Sequence, residues 1–182
     1  MTFLPLVLQA ILVLIVGLAA IYDLRYRRIP NWVVLVGLLL GLGVNTFLFK
    51  WAGLERSLLG AGVAFLIYFP LYLLRGMGAG DVKLMAAVGS IVGWADWFGI
   101  FFLTAIVGGL AAVALLAGRS QLRRGFSNAG YLVVQLLSFR LPYARNEELD
   151  VKSEKSVKLA HGVTIAWGSL LFLAAAWKWA PR

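Results

Sequence analysis

The sequence predicts an all-α, polytopic integral membrane protein with about six transmembrane helices. Of its 182 residues, 62% are hydrophobic and 14% are charged, and the mean hydropathy is +0.87. A soluble domain is about half apolar and roughly a quarter charged, so both fractions depart toward a membrane protein. Helices are the expected element because an isolated strand in lipid leaves backbone groups without hydrogen-bond partners.

The number of helices comes from six apolar segments of the sequence. A bilayer core of about 30 Å is crossed by a helix of about 20 apolar residues, and shorter spans occur. The six segments cover residues 4–22, 31–49, 57–74, 82–94, 97–117 and 160–178. The fourth segment is short and flanked by glycines. The first has no positive charge before it and an arginine cluster after it, which favours a retained helix over a cleaved signal peptide. We expect a single membrane domain over residues 1–182.

Positive charge is unevenly divided between the two sets of predicted loops. Loops 23–30, 75–83 and 118–159 carry 13 of the 17 lysines and arginines, and the other side carries four. Cytoplasmic loops of membrane proteins are enriched in these residues, so the first set is expected to face the cytoplasm. The net charge of +9 is then a topology signal that also favours anionic membrane lipid, and no nucleic-acid partner is expected.

The longest polar segment, 118–159, is predicted to be a cytoplasmic loop insert. Within it, residues 129–141 are apolar but too short to span a bilayer, which favours an interfacial or re-entrant helix. Residues 145–158 mix both charge signs, as is typical of a solvated linker. Elsewhere, the small-residue spacings Gly37/Gly41 and Gly89/Gly93 favour close helix packing.

Composition excludes several kinds of site. The chain has no cysteine and a single histidine, His161. Disulfides, a thiol nucleophile, and cysteine or multi-histidine metal sites are therefore excluded, and we expect neither a metal nor a cofactor. We interpret His161 as a packing or interfacial residue.

Two carboxylates lie at predicted helix ends on the cytoplasmic side, where acidic residues are costly and usually face a cavity or a partner. Asp23 ends the first helix, where the helix dipole disfavours negative charge. Asp81 begins the fourth helix, where it could cap backbone N–H groups and where the dipole would lower its pKa. Gly76, Gly78 and Gly80 precede it and leave room for a substrate backbone.

If these two helix ends meet, one carboxyl can stay ionised while the other holds a proton, as in aspartic proteases. The ionised group would take a proton from water, and the protonated group would polarise the scissile carbonyl. The residues alone leave alternatives open. Asp81 could be only a helix cap, Asp23 could pair with the arginines that follow it, and both could serve a proton- or cation-coupled transporter or a non-catalytic assembly protein.

Three stretches resemble motifs of the type IV prepilin peptidases. Residues 78–84, Gly-Ala-Gly-Asp-Val-Lys-Leu, resemble that family's GxGD signature. Residues 23–31, Asp-Leu-Arg-Tyr-Arg-Arg-Ile-Pro-Asn, resemble its first aspartate motif, in which basic residues and Ile-Pro-Asn follow the aspartate. Residues 161–168 resemble its last-helix motif, where Pro-Tyr-Gly is commoner than the His-Gly found here.

The resemblance implies a six-helix aspartyl endopeptidase with Asp23 and Asp81 as its catalytic pair. Such enzymes remove the basic leader from prepilins or pseudopilins at the cytoplasmic face of the bacterial inner membrane. The expected partner is a prepilin whose apolar N-terminal helix approaches through the lipid. Substrate-binding or site-shaping roles are then expected for Gly78, Gly80, Lys83, Arg25, Pro30 and Asn31. For Lys83, a lysine that merely extends to the interface is an equal alternative.

Many members of that family also carry an N-terminal methyltransferase region with zinc-binding cysteine pairs. This chain begins close to its first predicted helix and lacks cysteine, so we expect peptidase activity without N-methylation. In this respect it resembles the compact, stand-alone peptidases of tight-adherence (Flp) pilus systems.

Overall fold

The computed structural model describes residues 4–73, 77–118 and 160–178. These ranges contain five helices and no strand: α1 (Leu6–Tyr26), α2 (Asn31–Leu73), α3 (Ala79–Val92), α4 (Trp94–Gly118) and α5 (His161–Lys178). The prediction of an all-α fold is confirmed for this part of the chain. Residues 119–159, which hold the predicted interfacial helix and linker, lie outside the described residues.

Three of the described helices, α1, α2 and α4, are long and apolar enough to cross a membrane. Large apolar side chains stand on their outer surfaces, among them Leu14, Phe47 and Leu110, which are 64%, 86% and 67% exposed. Such surfaces suit contact with lipid and support a membrane protein. α3 has 14 residues, fewer than the roughly 20 that a free-standing span needs. The number of six spans therefore stays a prediction.

The longest helix, α2, is broken at Lys50, where φ is 55° and ψ is −133°. The break divides it into a first arm, residues 31–49, and a second arm, residues 51–73. The Ser57 hydroxyl donates a hydrogen bond to the Gly41 carbonyl at 3.2 Å, although 16 residues of straight helix would separate them by about 24 Å. The chain therefore reverses at Lys50, at the turn predicted between the second and third apolar segments.

The short helix α3 lies at the centre of the bundle. Ten of its 14 residues are buried, and it packs against α1, α2, α4 and α5. A helix enclosed by protein does not have to match the thickness of the bilayer, because its backbone is shielded by neighbouring helices and not by lipid. This location explains why so short an apolar segment suffices here.

The C-terminal end of α3 is hydrogen-bonded by groups from outside the helix. The last four carbonyls of a helix have no partner within it. All four find donors here: Gly89 accepts from the Gly93 N–H at 2.8 Å, Ser90 and Ile91 accept from Asn45 Nδ2 at 3.1 and 3.0 Å, and Val92 accepts from Arg56 Nη2 at 2.7 Å. Arg56 also forms an ion pair with Asp96 at 3.0 Å. Its positive charge thus stabilises the negative end of the α3 dipole.

The second arm of α2 runs antiparallel to α3 at backbone contact distance. Gly60 and Gly89 face each other so closely that a Cβ on either would collide with the carbonyl of the other. Arg56, four residues before Gly60, donates a hydrogen bond to the carbonyl of Val92, three residues after Gly89. Residue numbers therefore rise along one helix as they fall along the other. The two glycines fix both the separation and the register of this pair.

We expect Gly60→Ala to destabilise the protein, because its Cβ would meet the backbone of Gly89 and neither backbone can yield. Overpacking of this kind costs about 1–3 kcal/mol. Gly62→Ala is the matched control, since nothing lies within 4 Å of a Cβ at that position. Thermal unfolding in detergent should show a lower midpoint for Gly60→Ala and an unchanged or higher midpoint for Gly62→Ala. Equal midpoints would contradict the packing.

Candidate active site

Helix ends from distant parts of the sequence meet at one end of the bundle. The backbone of Gly162, at the start of α5, contacts Asp23, near the end of α1. At the start of α3, a Cβ on Gly80 would lie 3.2 Å from the Ile29 side chain, just before α2 begins. Both aspartates are buried at this end, and their carboxyl groups interact electrostatically. The fold therefore brings together the two carboxylates that the sequence singles out.

Asp23 lies in the last turn of α1 and is 8% exposed. Its Oδ2 accepts a hydrogen bond of 2.8 Å from the backbone N–H of Gly162. The positive end of the α5 dipole therefore faces this carboxylate and stabilises its negative charge. A Cβ at Gly162 would lie 3.0 Å from Oδ2, which is tight for any larger residue. This contact offsets the negative end of the α1 dipole, which by itself disfavours a negative charge on Asp23.

Asp81 is the third residue of α3 and is 9% exposed. Asp81 is not itself the N-cap residue, because that position belongs to Gly78. Its carboxylate accepts a hydrogen bond from the backbone N–H of Gly78, so the side chain reaches back to the N-cap and satisfies a backbone donor there, as the sequence predicts. A Cβ at Gly78 would lie 3.1 Å from Asp81 Oδ2, so the glycine leaves room for the carboxyl group.

The environment of Asp81, which precedes the predicted span 82–94, favours its protonated form. Burial, followed by the negative charge of Asp23, raises the pKa of the Asp81 carboxyl to about 7, while the hydrogen bond from the Gly78 backbone lowers it. From the sequence, the helix dipole is expected to lower the pKa of Asp81. That prediction is wrong, because desolvation by burial outweighs the dipole. One carboxyl thus faces a helix N-terminus while the other is placed to hold a proton.

The two aspartate motifs are also joined by their flanking residues. Lys83 Nζ donates a hydrogen bond to Asn31 Oδ1 at 3.1 Å, on the exposed surface. Pro30 is half-buried and immediately precedes α2. Arg25 is exposed in the last turn of α1, with its guanidinium 5.6 Å from the centroid of the Tyr26 ring. Of the predicted site-shaping residues, the structure places Gly78 against the Asp81 carboxylate and Arg25 on the surface.

Two further residues near the aspartates are assigned no role from sequence. Gly162 belongs to the last-helix motif. Its position at the start of the final helix is the sequence signal that could have identified it as a backbone donor to Asp23. Tyr68 is 3% exposed on the second arm of α2, and its hydroxyl interacts electrostatically with Asp81. It stands in an apolar, aromatic stretch and carries no sequence signal. His161 is half-buried beside Asp23, with which it interacts electrostatically.

No group of three or more His, Asp or Glu side chains within residues 4–73, 77–118 and 160–178 is placed to hold a metal ion. At this end of the bundle, the two neighbouring carboxyl groups of Asp23 and Asp81 can exchange protons as a pair. A profile of the type IV leader peptidase family matches residues 10–113, more than half of the chain and the part that contains both aspartates. The chain belongs to the type IV leader peptidase family.

Curated relatives of this family member are prepilin leader peptidase/N-methyltransferases. The protein from Pseudomonas putida is 35% identical over 109 residues, which are 56% of this chain and 38% of the relative. The protein from Stutzerimonas stutzeri is 37% identical over 116 residues, which are 59% of this chain and 40% of the relative. The protein from Bacillus subtilis (strain 168) is 30% identical over 110 residues, which are 59% of this chain and 44% of the relative. The matched region is thus about two-fifths of each relative's length. No solved structure matches the chain significantly.

We expect the stability of the protein to fall as pH rises from about 4 to about 7, because Asp81 binds a proton in the folded state that the unfolded chain has released. The contribution of this proton to stability is complete below pH 3.8, the pKa of the carboxyl in the unfolded chain. It is lost as pH rises through about 7, the pKa of the carboxyl in the folded state. Within this window the slope for one carboxyl is about 1.4 kcal/mol per pH unit. Asp81→Asn should flatten the dependence of the thermal midpoint on pH.

The matched control for this experiment is Glu55→Gln, which removes an exposed carboxylate near the opposite end of the bundle. It should keep the wild-type slope between pH 4 and pH 7. A slope that is equally steep in wild type and in Asp81→Asn would show that the Asp81 carboxyl does not titrate in this window.

Proposed function

We propose that this chain is a membrane aspartyl endopeptidase that removes the leader peptide of type IV prepilins or pseudopilins at the cytoplasmic membrane face. The observation that carries the proposal is the pair of buried, electrostatically coupled carboxyl groups of Asp23 and Asp81, which come from separate helices. Membership of the type IV leader peptidase family supports it, as do relatives named prepilin leader peptidases.

The unequal environments of the two carboxyl groups suggest their roles. Asp23, facing the N-terminus of α5, accepts a proton from water, and the water oxygen bonds to the scissile carbonyl carbon. Asp81 gives its proton to the carbonyl oxygen, which produces a neutral tetrahedral diol. The C–N bond then breaks as the leaving nitrogen takes the proton from Asp23 and a diol hydroxyl returns one to Asp81. The products are a leader with a new carboxyl terminus and a pilin with a new amino terminus.

The location of the site supports a membrane-embedded substrate. The aspartate end of the bundle carries exposed Arg25, Arg28 and Lys83, and by the positive-inside rule this charge favours the cytoplasmic side. A prepilin helix lying in the bilayer would present its cleavage site at that depth, next to the charged leader. We therefore propose the bacterial inner membrane as the location and a lateral approach through lipid.

We further propose that the reaction of this chain ends at cleavage. Its 182 residues contain no cysteine and so provide none of the zinc-binding cysteine pairs that the bifunctional members of the family carry. A methyl-transfer assay on the purified chain, run beside the cleavage assay, would test this point.

We expect Asp23→Asn and Asp81→Asn each to lower the cleavage rate by about 10²- to 10⁴-fold, because each removes a group that must exchange a proton. Purified variants would be reconstituted with a recombinant prepilin, and leader removal followed by gel shift and mass spectrometry. Glu55→Gln, which changes an exposed carboxylate, should cleave at the wild-type rate. Cleavage that survives either single change would exclude the pair. Ion flux lost in both variants, with no processing in wild type, would favour a transporter.

The proposed orientation predicts a labelling pattern for single cysteines in a chain that has none of its own. Arg28→Cys and Ala79→Cys lie at the aspartate end and should resist a membrane-impermeant thiol reagent applied to intact cells. Ala52→Cys lies beside the break in α2 and should be labelled. All three positions are exposed, so access depends on the side of the membrane. The reverse pattern would contradict a cytoplasmic site.

A further inference from the structure

Tyr68 is held in an aromatic cluster beside the aspartate pair. Its side chain is 3% exposed, and it meets the rings of Trp97 and Phe101 edge-on at centroid distances of 6.0 and 5.8 Å. Edge-on contacts of this kind are favourable and restrict the orientation of a ring. Packing against α4 therefore sets the direction in which the Tyr68 hydroxyl points.

The register of two helices places Tyr68 opposite Asp81. Gly60 on the second arm of α2 faces Gly89 on α3, and the two helices are antiparallel. Tyr68 is eight residues after Gly60, and Asp81 is eight residues before Gly89, so each lies about 12 Å along its helix from the glycine contact, within the stripe that positions i, i+4 and i+8 form. Ala64, halfway between Gly60 and Tyr68, is fully buried, as a continuous interface requires.

The chemistry of the hydroxyl agrees with this placement. It interacts electrostatically with Asp81, although it lies on a different helix. A phenol hydroxyl can donate its proton to an acceptor that enters the site. Because the ring is buried inside the bundle, Tyr68 also differs from the tyrosines that mark membrane interfaces.

We propose that Tyr68 is a third catalytic residue, whose hydroxyl donates a hydrogen bond to the scissile carbonyl oxygen while Asp81 protonates that oxygen. The inference rests on the proposed peptidase function. A carbonyl oxygen has two lone pairs and accepts from both donors. The hydroxyl keeps its own proton, so the bonds made and broken remain those of hydrolysis. A tyrosine and a protonated carboxylic acid serve as paired donors of this kind in another enzyme, and preorganised donors stabilise the charge that develops on oxygen.

Tyr68→Phe tests the proposal because it removes the hydroxyl and keeps the ring contacts. The probe is a recombinant prepilin with a basic leader, a glycine and an apolar helix, reconstituted in vesicles with the full chain. We expect kcat to fall about 100-fold, the typical effect of losing one oxyanion donor, with KM changed less than about twofold. The pH profile should keep its shape, because burial, Asp23 and the Gly78 backbone set the Asp81 pKa.

Tyr72→Phe is the matched control, one turn further along the same helix. Tyr72 is half-buried and packs against Phe69 at a centroid distance of 6.3 Å. The Tyr72→Phe variant should cleave the prepilin at the wild-type rate and unfold at the wild-type temperature. Tyr68→Phe should also unfold near that temperature, because the aromatic packing is retained.

Three results would overturn the assignment of Tyr68. The first is a wild-type kcat in Tyr68→Phe. The second is a shifted pH profile without a loss of kcat, which would mean that the hydroxyl acts through Asp81. The third is a loss of kcat matched by a lower unfolding temperature, which would mean a structural role. If the wild-type chain itself cleaves no prepilin, the proposed function fails, and the inference fails with it for that separate reason.

Discussion

The enclosure of α3 by the other helices is the constraint on which the rest of the structure depends. Because the C-terminal half of this helix is buried, the four carbonyls at that end must be hydrogen-bonded by protein, and Asn45 and Arg56 donate to three of them. The Gly60–Gly89 contact then fixes its register against the second arm of α2. With one end held in this way, the other end has a defined position, and Asp81 lies there in a poorly solvated environment.

Two chemically identical side chains acquire different properties from the helices that surround them. Asp23 accepts a backbone hydrogen bond from Gly162 at the positive end of α5, which favours negative charge. Burial and its neighbour favour the proton on Asp81. Gly78 and Gly162 each lie against one of the carboxyl groups, where a Cβ would crowd an oxygen. The glycines of the two motifs therefore determine the geometry of the charges as well as the path of the chain.

The sequence predicts those features that depend on local hydrophobicity. It predicts helices, the turn near Lys50 and the meeting of Asp23 with Asp81 at one end, because apolar segment lengths and their alternating direction suffice for these. It also predicts close packing at Gly89, but not that Gly60 is the partner. The contact of Gly162 with Asp23 and the place of Tyr68 depend on packing between distant segments. The raised pKa of the Asp81 carboxyl cannot be predicted from sequence for the same reason, since the degree of burial is a property of the assembled bundle.

The way in which α3 is held also limits how this helix can move within the bundle. A shift of α3 along its axis by one residue, about 1.5 Å, would strain the hydrogen bonds from Asn45 and Arg56 and move Gly89 away from the position where it faces Gly60. Sliding of α3 is therefore costly, and the distance between its first turn and the second arm of α2 is set by the fold.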